Sequence, residues 1–294
     1  MVAFEAQAAI AGSELVLVQG DTSSALGGAL AAHRTGIPTG HVEAGLRTHD
    51  DRNPWPEEDF RKRIDAISTF LFAPTELSAA NLRREQARGT IHVTGNTAVD
   101  AAFSMISHRR QAKSGKSFRL LVTCHRRESW GEGLGGIADA LRQIAASGVV
   151  AIDFVLHPNP QVAMRFRSLL AGTPGITLHQ PCNHHEMLAR MQSADLILSD
   201  SGGMQEEAPI LGVPLLVLRD CTERPEAIAS GNIAMVGRDP KRIVSEVMRL
   251  LSDPDSLEAM RRRAQPYGDG RASDRIAQII AESLEADSPA AAAA

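Results

Sequence analysis

Carboxylates follow two short strand-like runs and open one helical run within the first sixty residues. Asp21 comes directly after a run that ends at Gln19, Glu43 comes after the next run, and Glu57 begins a helical pattern behind two prolines. Taken singly, each acid has a structural explanation as a helix cap or as a partner of the helix dipole. The carboxyl ends of parallel strands share one edge of a sheet, so the three acids are expected to converge there as general acids and bases.

A second group of residues has the chemistry of an anion site. Ser201-Gly202-Gly203 forms a turn of nearly bare backbone before a helical run, and N–H groups at such a turn bind phosphate. A glutamate one helical turn further on, in the pair Glu206-Glu207, is expected to reach a ribose diol. His125 and His157 each follow a strand-like run, and Arg126-Arg127 after His125 favours an anionic ligand. Their structural alternative is a solvated loop with satisfied histidines.

The elements that must position these residues alternate between short strands and helix-length segments. This alternation predicts an α/β fold of two Rossmann-like, doubly wound domains with helices on both faces of mostly parallel sheets. Predicted strands are 15–19, 39–42, 71–73, 91–93, 120–123, 152–156, 176–178, 196–198 and 215–218. Predicted helices are 25–35, 57–67 and 77–88, the last capped by Thr75, followed by two or three amphipathic helices over 240–285.

A polar, basic stretch at 107–117 interrupts the pattern and is predicted to be an interdomain hinge. We therefore expect an N-terminal domain over 1–110, which carries the carboxylates, and a C-terminal domain over 117–294. The first is shorter than the roughly 150 residues of a complete mononucleotide-binding half, so it is expected to be incomplete.

Composition excludes several classes of protein. The chain has 294 residues and a net charge of -4, which argues against nucleic-acid binding. Its apolar runs are too short for a membrane helix, no signal peptide is evident, and three scattered cysteines suit the cytoplasm.

Three local patterns mimic other sites. The tetrapeptide 200–203 matches a serine-protease motif but opens a helix, and the glycines of 131–136 lie too far from a strand for a dinucleotide site. The cluster at 182–186 has no zinc spacing, so no metal is expected.

Eight motifs in order resemble the bacterial non-hydrolysing UDP-N-acetylglucosamine 2-epimerases. They are 20–22, 41–47, 54–58, 94–97, 125–128, 157–160, 200–203 and 219–226. The resemblance implies a glycosyltransferase-B-like fold with the nucleotide sugar in the cleft between two domains. It also implies interconversion of UDP-N-acetylglucosamine and UDP-N-acetylmannosamine, by elimination of UDP to 2-acetamidoglucal and readdition. No metal or nicotinamide cofactor is implied, and the partners are UDP-N-acetylglucosamine, UDP and a second subunit in a homodimer.

Roles carried over from the resemblance fall on residues already singled out. The implied catalytic residues are Asp21, Glu43, Glu57 and His125. The implied substrate-binding residues are His157, Ser201, Gly202, Gly203, Glu207 in preference to Glu206, and Arg224.

One family feature, an early Gly-Thr-Arg-Pro-Glu loop, has no counterpart before Leu15. A fragment without its first strands is therefore expected. The alternatives are a hydrolysing 2-epimerase, a glycosyltransferase relative and an inactive UDP-binding fragment.

Overall fold

The computed structural model describes residues 7–106, 117–125 and 132–286. The chain forms two compact units. Unit 1 comprises Met1–Ala101 and Tyr267–Ala294, and unit 2 comprises Ala102–Pro266. The predicted hinge at 107–117 lies almost wholly outside the described residues.

Unit 1 is built on a parallel sheet with strand order β1-β2-β3-β4. The strands are β1 (Val16–Gln19), β2 (Thr39–Val42), β3 (Phe70–Ala73) and β4 (Thr90–Val93). The helices that connect them are α1 (Ser23–Thr35), α2 (Glu57–Ile67) and α3 (Glu76–Arg84), and α4 (Thr97–Met105) follows β4. Thr75 caps α3 by accepting a hydrogen bond from the Ser78 N–H, as predicted.

Helices cover both faces of this sheet. On one face Val18 packs against α1 and α2. On the other, Val42 and Phe72 pack against Ile276 of a helix near the end of the sequence. Asp100 accepts hydrogen bonds from the first N–H groups of that helix, at 3.0 Å from Ala272 and 2.6 Å from Ser273.

Unit 2 has a parallel sheet of order β10-β9-β8-β5-β6-β7. Its strands are β5 (Phe118–Thr123), β6 (Val150–Val155), β7 (Ile176–His179), β8 (Leu196–Ser199), β9 (Leu215–Val217) and β10 (Ile233–Met235). Read from the other side, the order is that of a Rossmann domain, with the reversal of direction between β5 and β8. Ligands of such sheets bind beyond the carboxyl ends of the strands at this switch point.

The helices of unit 2 follow the strands in alternation. They are α5 (Glu132–Ala146), α6 (Pro160–Leu170), α7 (His184–Ser193), α8 (Gly202–Leu211), α9 (Pro225–Ala229), α10 (Pro240–Ser252) and α11 (Pro254–Met260). One continuous core of buried Leu, Ile, Val, Ala and Phe side chains joins them to the sheet. Within the described part of the chain, no helix is long and apolar enough to span a bilayer.

The remaining helix, α12 (Ala272–Ala286), lies in unit 1 of the structure. The predicted domain over 117–294 included this helix, whereas the structure groups it with unit 1. The physical reason is its apolar face, which packs on the first sheet through Ile276. The predicted strands all form, with bounds that differ by one or two residues at most, and β10 was not predicted.

Candidate active site

The predicted site residues lie in both units, and each set is described within its own unit. We call Asp21, Glu43 and Glu57 of unit 1 the carboxylate site. His125, His157, Ser201 to Gly203, Glu207 and Arg224 of unit 2 are called the nucleotide site.

A buried aspartate, Asp65 of α2, holds the turns that present the carboxylate site. Its carboxylate accepts hydrogen bonds from His41 Nδ1 at 2.6 Å, from Arg47 Nη2 at 2.7 Å and from the Gly45 N–H at 3.2 Å. The other ring nitrogen of His41 contacts the carbonyl oxygen of Gly20 at 3.0 Å. Asp65 therefore links the turn before Asp21 to the turn that follows Glu43.

Charge balance keeps Asp65 ionised in this setting. Burial alone would raise its pKa, but the neighbouring charges and hydrogen bonds of His41 and Arg47 outweigh burial and lower the pKa. Each ring nitrogen of His41 thus lies within hydrogen-bonding distance of an oxygen atom, one of Asp65 and one of Gly20.

Arg61 connects Asp21 to helix α2. Its guanidinium contacts Asp21 at 2.5 Å and Glu58 at 2.9 Å, and it is only 2% exposed. Glu58 is fully buried and accepts hydrogen bonds from the N–H groups of Thr48 and His49. The arrangement fixes the Asp21 carboxylate at the carboxyl end of β1, where 26% of its side chain stays exposed.

Glu43 occupies an unusual backbone conformation. Its φ is 71°, in the left-handed region that residues with a Cβ seldom adopt. The Gln19 amide donates to Glu43 Oε1 at 3.2 Å and lies 3.2 Å from the Thr97 hydroxyl. Since β1 and β2 are paired neighbours, Asp21 and Glu43 emerge side by side from the same sheet edge.

Glu57 is the carboxylate of this site with an unsatisfied oxygen. Its Oε2 atom is buried and has no hydrogen-bond partner among the described residues. Buried polar atoms in proteins normally have partners, so this oxygen has the capacity to accept a hydrogen bond from a ligand. The structure thus places Asp21 and Glu43 just beyond the carboxyl ends of β1 and β2, and Glu57 in the first turn of α2, the helix whose Arg61 contacts Asp21.

At the switch point of unit 2, a buried aspartate positions His125. Asp200 is fully buried, and its carboxylate accepts the His125 N–H at 2.7 Å and the Cys124 thiol at 3.4 Å. The imidazole of His125 lies 5.3 Å from that of His157, centroid to centroid. The two histidines therefore stand together after the adjacent strands β5 and β6, whereas Arg126 and Arg127 lie outside the described residues.

Both histidines have lowered pKa values and are neutral at pH 7. Burial is the main cause of the lowered pKa of His125, which the charge of His157 lowers further and that of Asp200 opposes. Burial also lowers the pKa of His157. His157 Nδ1 accepts the Asn159 N–H at 2.8 Å, so its proton resides on Nε2.

Helix α8 begins at the predicted phosphate turn. Ser201 is its N-cap and makes no side-chain capping bond, so the first N–H groups of the helix are not capped by its hydroxyl. The guanidinium of Arg224 lies against Gly202, where it is 7% exposed and is held by Glu206 at 2.6 Å and by Glu223. Arg224 is therefore held beside the turn by two ion pairs, and its role in substrate binding stays a prediction.

Glu207 is paired differently. His184, the first residue of α7, lies 2.7 Å from Glu207 Oε1 through its Nε2 atom. Burial raises the pKa of Glu207, and the hydrogen bond and charge of His184 oppose that rise. The choice of Glu207 over Glu206 as the residue that faces a ligand stays a prediction.

Arg61, Asp200 and His184 were missed as site residues by sequence reasoning. The helical spacing of Glu58 and Arg61 was a local signal, since residues three apart on a helix meet. Nothing in the sequence pattern pairs Arg61 with Asp21, forty positions earlier.

Comparison with known proteins identifies the family to which the chain belongs. The family model of UDP-N-acetylglucosamine 2-epimerase matches residues 1–281. The chain belongs to the UDP-N-acetylglucosamine 2-epimerase family. It is 44% identical to the UDP-N-acetylglucosamine 2-epimerase of Salmonella typhimurium, over 91% of this chain and 75% of that protein. The match to the Escherichia coli K12 enzyme is 43%, with the same coverage.

Solved epimerase structures share the fold. The Neisseria meningitidis UDP-GlcNAc 2-epimerase bound to UDP-GlcNAc matches with a TM-score of 0.89 and 36% identity, over 96% of this chain and 80% of that one. The Methanocaldococcus jannaschii enzyme, in complex with UDP-GlcNAc and UDP, matches with a TM-score of 0.84 and 34% identity, over 96% and 80%.

These comparisons confirm the predicted epimerase family, the α/β glycosyltransferase-B-like fold and the isomerase class. The homodimer and the cytoplasmic location stay predictions.

Proposed function

We propose that the chain interconverts UDP-N-acetylglucosamine and UDP-N-acetylmannosamine by elimination and readdition of UDP. The bond between the anomeric carbon and the diphosphate oxygen breaks, and UDP leaves with the electron pair. A carboxylate takes the proton from carbon 2, and a double bond forms between carbons 1 and 2. UDP then adds back after a proton reaches carbon 2 from the opposite face.

The observation that carries this proposal is the carboxylate site itself. The proton on carbon 2 has no adjacent carbonyl to acidify it, so departure of UDP leads and the sugar develops positive charge. Asp21, Glu43 and Glu57 supply negative charge at one sheet edge, and positioned acids and bases of this kind accelerate proton transfer by roughly 10²–10⁴-fold. Arg61 and Asp65 keep two of the turns in place.

Residues of unit 2 bind the leaving group in this proposal. The N–H groups that begin α8 hold phosphate through Ser201, Gly202 and Gly203. His125 contacts the departing diphosphate as a neutral donor, with His157 beside it. Glu207 accepts hydrogen bonds from the ribose. The ligands of the Neisseria and Methanocaldococcus structures, UDP-GlcNAc and UDP, support this assignment.

Incubation with UDP-N-acetylglucosamine in deuterium oxide tests the chemistry. We expect deuterium at carbon 2 of sugar that is still linked to UDP, observed by NMR. Stoichiometric release of free sugar and UDP would instead show the hydrolysing reaction. Binding of UDP without exchange or turnover would show a fragment that binds nucleotide and does not catalyse.

Two substitutions assign the acids. Asp21→Asn and Glu57→Gln keep the shape of each side chain and remove its charge, so kcat should fall by roughly 10²–10⁴-fold with little change in KM. Loss of affinity with unchanged kcat would assign these residues to substrate positioning instead.

A further inference from the structure

His184 and Glu207 form a pair that the epimerisation chemistry does not use. They belong to neighbouring helices, α7 and α8, and their side chains meet at 2.7 Å between Nε2 and Oε1. Glu207 is 9% exposed, whereas His184 is 41% exposed. The carboxylate therefore lies below the surface with the imidazole beside it.

The pair leaves one carboxylate oxygen for a ligand. Within the described residues, His184 is the only hydrogen-bond partner of the Glu207 side chain, through Oε1. A carboxylate has acceptor capacity on both oxygens, so Oε2 can accept a hydroxyl while Oε1 is engaged. The hydrogen bond from His184 limits rotation of the carboxylate and opposes the effect of burial on its ionisation.

We propose that His184 is a positioning residue that holds Glu207 ready to accept hydrogen bonds from a ribose diol, so that this site selects ribonucleoside over deoxyribonucleoside diphosphates. The inference rests on the proposed function, because it deepens the role given there to Glu207. It adds a residue from α7 that touches no substrate atom in the proposal and acts through Glu207 alone.

The test compares two diphosphates that differ only in the ribose. Affinities of the full chain for UDP and for 2′,3′-dideoxyuridine diphosphate are measured by calorimetry in wild type and in His184→Phe. Phenylalanine keeps the ring and removes the donor. UDP affinity should fall by about tenfold, the loss expected for one partly exposed hydrogen bond to a charged group. Affinity for the dideoxy compound should change by less than about twofold.

The neighbouring histidine supplies the matched control. His185 is the next residue of α7 and is exposed, so His185→Phe makes the same chemical change without removing the pair and should leave both affinities unchanged. His184→Gln retains an N–H donor and should recover part of the UDP affinity. In epimerisation assays His184→Phe should raise KM and leave kcat nearly unchanged.

The outcomes separate the inference from the proposed function. Equal loss of affinity for both diphosphates would show a general structural role and overturn the inference, as would wild-type UDP affinity in His184→Phe. In either case the proposed function stands, because wild type binds UDP. Failure of wild type to bind UDP would overturn the proposed nucleotide site, and the inference with it.

Discussion

Alanine at Gly202 should destabilise the protein and alanine at Gly203 should not, although the two glycines are adjacent at the start of α8. A Cβ on Gly202 would lie 2.8 Å from Arg224 Nη1 and 3.0 Å from Arg224 Cζ. These distances are shorter than any relaxed contact, so the guanidinium must move. It is buried and held by Glu206 and Glu223, and movement weakens both ion pairs.

The expected magnitude follows from these contacts. Weakening a buried hydrogen bond between charged groups costs about 1.5–3 kcal/mol, and replacing a helical glycine by alanine returns up to about 1 kcal/mol. Gly202→Ala should therefore lower the free energy of unfolding by about 0.5–2 kcal/mol. A Cβ on Gly203 meets only Ser201 Oγ, at 4.0 Å, so Gly203→Ala should be neutral or stabilising by about 0.5 kcal/mol.

Urea unfolding monitored by circular dichroism measures this difference, and UDP titration measures its effect on the nucleotide site. Both variants add one methyl group at the same turn, so general crowding of a bound phosphate affects both. We expect Gly202→Ala to bind UDP more weakly than Gly203→Ala because Arg224 is displaced beside the turn. Equal unfolding free energies in the two variants would refute the assignment of Arg224 as a fixed neighbour of Gly202.

Two further predictions concern unit 1. Arg61→Met leaves Asp21 and buried Glu58 without the guanidinium that contacts both. In steady-state assays kcat should fall by at least tenfold, and the free energy of unfolding should fall by about 3 kcal/mol. Unchanged kcat would show that Arg61 does not position Asp21. Asp65→Asn should destabilise the protein by about 3–5 kcal/mol at pH 7. The folded pKa of Asp65 is lowered, so its stabilisation is complete above about pH 4 and is lost as the pH falls through the folded value. The difference in free energy of unfolding between wild type and Asp65→Asn, measured by urea unfolding, should therefore become smaller as the pH falls from 7 to 3. A constant difference would contradict the pairing of ionised Asp65 with His41 and Arg47.

The alternation of short strand-like runs with helix-length segments predicted the elements well, because most buried strands carry an apolar run. The sequence therefore located β2 and α2 with the bounds that the structure has, and it placed Asp21 and Glu43 directly after strands. The short strand β10 was not predicted, since its run of three residues gives too little pattern to detect.

Long-range pairing was beyond sequence reasoning. The sequence of α12 shows an amphipathic helix but does not show which sheet its apolar face covers. In the structure that face packs on strands some two hundred residues earlier in the sequence. The same limit hid the link between Asp200 and His125, which joins side chain to backbone across 75 positions. The candidate site residues that follow strands could be predicted from the sequence, whereas the residues that hold them in place could not.

Because α12 packs on the sheet of unit 1, the two units become complete in a fixed order as the chain is synthesised. Unit 2 is continuous in sequence, so its core can close as soon as residue 266 has left the ribosome. The first sheet must wait longer, because Val42 and Phe72 gain their cover only when Ile276 arrives. Unit 1 is thus translated first and completed last. A premature stop after residue 266 would leave one face of its sheet uncovered, and Asp21 and Glu43 follow strands of that sheet.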